Sequence, residues 1–169
     1  IYYKSGVQYH EQQVQEDMVE LENRFISKQY NSGPINSWIS SFLFWLPTSA
    51  YAGDLNGDGY ITDQTTFYTA LTSFLADPMN ERFKKDIIAE YDITDTIVAV
   101  KTSRVSMYHV GIDTSMRKRD AMERARVITS DSSIKPHPFP YTSLYLFAEQ
   151  FVVMKMEIRS EEHTSELQS

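Results

Sequence analysis

The chain has 169 residues, 41% of them hydrophobic and 13% aromatic, which suits one folded domain and excludes a disordered segment. Its 16 basic and 23 acidic residues leave a net charge of −7, and no basic stripe lies outside residues 117–126, which argues against nonspecific nucleic-acid binding. There is no cysteine, so the core must hold without disulfides, and this weighs mildly against an extracellular home.

In chain order, Gly6-Val7-Gln8-Tyr9-His10 is β-permissive and is expected to open a sheet. Val14, Met18, Leu21 and Phe25 recur at spacings of four, three and four and predict a helix, with Glu16, Asp17, Glu20, Glu22 and Asn23 largely outside the stripe. Ser32-Gly33-Pro34 should end that unit. Trp38, Ile39, Phe42, Leu43, Trp45 and Leu46 form a wide apolar band stopped by Pro47. Such a band suits packing against a sheet, with a membrane-surface anchor as the alternative.

Residues 50–63 form a loop with one sharp motif, Asp54-Leu-Asn56-Gly-Asp58-Gly59-Tyr60-Ile61. Asp54, Asn56 and Asp58 stand at positions one, three and five of a calcium loop, where short oxygen side chains converge on a hard cation and glycine permits the turn. Position twelve is Thr65, which supplies no bidentate carboxylate, although Asp63 at position ten offers a partial substitute. The motif therefore stands as a weak calcium site beside the plainer reading of a polar Asn/Asp/Gly turn, and no metal or other cofactor is assigned.

Phe67, Ala70, Leu71, Phe74 and Leu75 predict a further helix stopped by Asp77-Pro78. Ile87 to Tyr91 and Ile97 to Met107 predict a hairpin around Asp92 to Thr96, and a period of two runs on through Val105, Met107 and His109. Gly111 and Asp113-Thr114-Ser115 break the strand and offer caps to a helix that carries Ala121, Met122, Ala125 and Ile128 on its inner face. Arg117, Lys118, Arg119, Asp120, Glu123, Arg124 and Arg126 fill its outer face and suit a solvated surface. A proline-punctuated connector then leads to Phe139-Pro140-Tyr141-Thr142-Ser143-Leu144-Tyr145-Leu146-Phe147-Ala148-Glu149-Gln150-Phe151. The sum is α+β, ordered as a split β-α-β, ferredoxin-like sheet with a helical insertion.

No catalytic pattern emerges. His10, His109, His137 and His163 are scattered, and metal-binding histidine pairs, a nucleophile elbow and a phosphate-cradling glycine loop are missing. Glu149-Gln150 is polar inside an aromatic run and suits capping or interdomain hydrogen bonding better than acid–base work. A soluble hydrolase with an unrecognised carboxylate pair is the weakest of the alternatives.

The strand, Asp113-Thr114-Ser115, the basic helix RDAMERARVI and FPYTSLYLFAEQF together resemble the second large extracytoplasmic domain of the Patched and Niemann–Pick type C family. These are multi-pass sterol and lipid transporters of the resistance-nodulation-division superfamily. In that family a helix with an ALxxAR-like core precedes an FPYSxFYxFYEQY-like segment that leads towards a membrane helix. Phe139-Pro140-Tyr141, Tyr145, Phe147, Glu149 and Gln150 fall in that pattern. The opening helix, the SWxxxFxxWL-like band and Thr102-Ser103-Arg104 are similar more loosely. The absence of cysteine departs from the Niemann–Pick branch and leans the resemblance to the Patched-related one.

The resemblance implies a noncatalytic domain, extracellular or luminal, on a membrane protein for lipid or sterol transport or signalling. It would pair with a similar domain and the membrane bundle of the same protein and help form a cleft or passage for lipid or sterol. The alternative is a calcium-dependent interaction module built on Asp54–Asp63. Neither initiator methionine nor signal peptide is present, no run approaches the roughly 18 apolar residues of a membrane helix, and the chain reads as a piece of a larger protein. Residues 1–158 are expected to form the domain. Residues 159–169, RSEEHTSELQS, resemble the in-frame translation of a common sequencing adapter and are set aside as a non-native tail.

Overall fold

Helix α1 (Gln12–Ile26) buries Met18, Leu21 and Phe25 on the predicted stripe, and this face organises what packs around it. The computed structural model describes residues 1–150, Val153 and Met154, with the backbone alone for residues 32–34; residues 159–169 lie outside it. The chain is 50% helical and 15% strand, with small antiparallel sheets, an α+β arrangement.

The first sheet joins β1 (Tyr2–Tyr3), β4 (Ile97–Arg104) and β3 (Ile87–Tyr91) in the order β1-β4-β3, with antiparallel neighbours throughout. Phe139 extends it on the far side of β1. Its N–H donates to the Tyr2 carbonyl at 3.0 Å, and its own carbonyl accepts from the Tyr2 N–H at 2.9 Å. The opening strand is therefore Tyr2–Tyr3, not Gly6–His10. Gly6 has φ +98°, a left-handed conformation that turns the chain out of the sheet, and Val7 and Tyr9 act as buried anchors ahead of α1.

The second sheet was not expected. β2 (Asn31–Asn36) runs through the Ser-Gly-Pro segment read as a break and pairs antiparallel with β5 (Ser106–His109). The register shifts between Ser32 and Asn36, where Gly33 and Pro34 stand. A proline that cannot donate is accommodated at such an irregularity in a two-stranded ribbon. The long strand expected from Ile97 to Met107 is also divided, at Val105. Val105 is buried and exchanges backbone hydrogen bonds with Ile1, after which the chain leaves the first sheet for the second.

Helix α2 (Trp38–Trp45) and helix α3 (Gln64–Ala76) build an aromatic nucleus. Phe42 meets Phe67 at 5.3 Å and Phe74 at 5.5 Å edge-on, while Trp38 tilts against Tyr9 at 5.6 Å. The apolar band around Trp38 thus packs on α1 and α3, and α3 covers β4. Phe44 alone projects, 85% exposed. Helix α4 (Ser115–Ser130) starts at the Thr114 cap and lies against α1. Residues 143–150 are helical. Among the described residues no helix is long and apolar enough to cross a membrane.

Candidate functional site

Where β4 gives way to β5, the chain changes sheets, and the segment from Pro140 to Tyr145 passes opposite. Between them lies a groove of about 580 Å³, the size of a small-molecule site. Met107 and Leu144 supply apolar wall over the buried Phe25 and Val105, and Tyr2, Tyr108, Tyr141 and Thr142 complete the lining. Tyr2 stacks on Phe139 at 5.5 Å and meets Tyr141 edge-on at 5.9 Å, so the aromatic rim is internally braced.

One end of the groove is fixed by His109. Its Nδ1 is 3.1 Å from the Tyr30 carbonyl and its Nε2 is 2.7 Å from the Tyr145 hydroxyl. A carbonyl only accepts, so Nδ1 carries the proton and the Tyr145 hydroxyl donates to Nε2. Burial holds the imidazole below its ordinary pKa and pushes the Tyr145 phenol up to about 12. Tyr30 takes up φ +76°, a strained value for a bulky residue, and its carbonyl thereby receives both His109 and the Val110 N–H. With both ring nitrogens engaged, His109 serves as a neutral clamp between β5 and the helical residues 143–150.

The other end holds Arg104. Its Nε donates to Asp86 Oδ1 at 2.6 Å, and Asn36 donates to the second Asp86 oxygen at 3.4 Å. The Asp86 side chain is 2% exposed and the Arg104 side chain 36%, so the carboxylate sits behind the wall and the guanidinium at it. Sequence reading missed this pair, because the partners are 18 residues apart and share no local pattern.

The Asp54–Asp63 loop is stitched into a turn of its own. Asn56 Oδ1 accepts from the Asp58 N–H at 3.0 Å and the Tyr60 N–H at 2.9 Å, and Asn56 Nδ2 donates to Gln12 at 2.7 Å. Gln12 in turn donates to Asp58 at 3.1 Å. Asp63 caps α3 by accepting from the Thr66 N–H, and this hydrogen bond lowers its pKa. Asp54 ends a short 3-10 turn. Among the described residues, no group of three or more His, Cys, Asp or Glu side chains is gathered as a metal site.

Glu149 pairs with Arg126 of α4, a link within the same fold. Arg117 and Arg119 likewise meet acids of their own helix or its cap, so much of the basic face is neutralised locally. His10 lies in the turn before α1, not in a strand, and His137 is bonded to Lys135 in the connector. Glu22, expected outside the stripe, is buried. Both its oxygens accept 2.6 Å hydrogen bonds, from Ser37 and Ser40, and burial raises its pKa above the ordinary carboxylate value.

No family model matches the chain, and no curated protein or solved structure matches it.

Proposed function

We propose that the chain is a noncatalytic extracytoplasmic domain of a Patched-related, multi-pass membrane protein, and that its groove contributes to a cleft or passage for lipid or sterol. The observation that carries this is the position of the FPYTSLY segment. The residues that bear the family resemblance, Pro140, Tyr141 and Tyr145, themselves line the groove, opposite the apolar Met107 and Phe25. A ferredoxin-like arrangement is supported by the neighbour order Phe139, β1, β4, β3, with α1 and α4 following β1 and β4. In that scheme β2, α2 and α3 form the insertion.

The noncatalytic reading rests on His109, whose two nitrogens are both committed, and on Glu149, which is paired with Arg126. The partners would be a similar domain and the membrane bundle of the same protein.

Photo-crosslinking tests the site. A photoactivatable sterol incubated with the full chain should label peptides containing Met107 or Tyr141, and Met107→Arg should remove the label. Labelling confined to the projecting Phe44, or none, would contradict the proposal.

A further inference from the structure

The lining of the groove carries information about the head group of its ligand. The chain has net charge −7, yet no Asp or Glu is among the described residues that line the groove, while Arg104 is. Arg104 is also held in place. Asp86 takes its Nε from behind, Asn36 braces Asp86, and the Tyr2 hydroxyl lies against the guanidinium. Asp86 and the Tyr2 hydroxyl occupy only part of the guanidinium's five donors, so the rest of the fork remains for a ligand.

We infer that the groove takes amphiphiles with an anionic head group, with Arg104 as the anchor of the head and Met107 and Leu144 covering the apolar body. This rests on the reading of the groove as a lipid site. A charge-assisted hydrogen bond from a guanidinium to an oxyanion is roughly twice as strong as one between neutral groups. A neutral hydroxyl head therefore gains less here, and a cationic head meets like charge and no carboxylate. Ser106 and Thr142, both hydroxyl-bearing, belong to the same lining.

The test uses the full chain and three fluorescent probes that share one pyrene-labelled acyl body: a fatty acid, the matching fatty alcohol and the matching amine. The acid should bind about tenfold tighter than the alcohol, the amine weakest, and added salt should erode the acid's advantage. Replacing the pair together, Arg104→Gln with Asp86→Asn, avoids a buried orphan charge and should bring the acid down to the affinity of the alcohol. Arg104→Lys should keep part of the preference. Equal binding of acid and alcohol, or a preference that survives the paired replacement, overturns the head-group assignment and leaves the groove itself standing. Failure of all three probes to bind overturns both.

Discussion

Glu22, which is buried, and His109, which is half-buried, bear on stability in opposite directions. Burial raises the Glu22 pKa, so the folded state prefers its neutral form. Stability is then greatest at acid pH and is lost as pH climbs from the unfolded value, near 4.5, towards the folded one. Glu22→Gln removes the charge and keeps polar contact with Ser37 and Ser40. It should raise stability at neutral pH by about 1 kcal/mol, with the gain vanishing in acid; an unfolding series over pH checks both. His109 titrates the other way. Its folded pKa lies below the ordinary 6.5, so its contribution is complete above that value and is lost as pH falls through the interval beneath it. His109→Gln should flatten the stability profile in that interval, and a wild-type profile already flat there would refute the clamp. Neither role was legible in the sequence. Glu22 follows Leu21 on a helix whose acids otherwise read as a solvated face, and Tyr145 is one of several aromatics in a run.

At the scale of elements, local chemistry was legible where side chains act on their own neighbours. The stripe Val14, Met18, Leu21, Phe25 and the cap Thr114 did what their spacing predicts, because helix periodicity and capping are short-range. β2 was illegible for the opposite reason: Gly33-Pro34 signals a break, and only pairing with the distant β5 makes a strand of it. Ser37 joins two elements, accepting the Ser40 N–H as the α2 cap and donating to Glu22 of α1. Ser37→Ala should cost about 2 kcal/mol, the sum of a lost cap and a lost buried hydrogen bond, and part of that cost should disappear in a Glu22→Gln background, measurable as a double-mutant cycle. In the Asp54–Asp63 loop the third-position oxygen of Asn56 already accepts two backbone amides. Millimolar calcium should therefore leave the melting temperature unchanged, and a concentration-dependent rise would restore the loop as a calcium site.

For the molecule as a whole, the α+β class and most helices could be read from periodicity, while the division into two sheets could not. That division depends on Val105 closing against Ile1 and on Phe139 returning to the edge of β1, contacts more than a hundred residues apart in the chain. The groove arises at this junction, which is why the sequence marks its aromatic wall and only loosely Arg104, and does not mark the Asp86 that holds Arg104. The central claim, a domain of a Patched-related membrane protein, is tested most directly by sequencing the parent transcript on both sides of residues 1–158. The account predicts long apolar segments of a membrane bundle flanking the domain, with native coding sequence replacing RSEEHTSELQS after Ile158. A message that encodes RSEEHTSELQS followed by a stop, with no membrane segments upstream of Ile1, would contradict it.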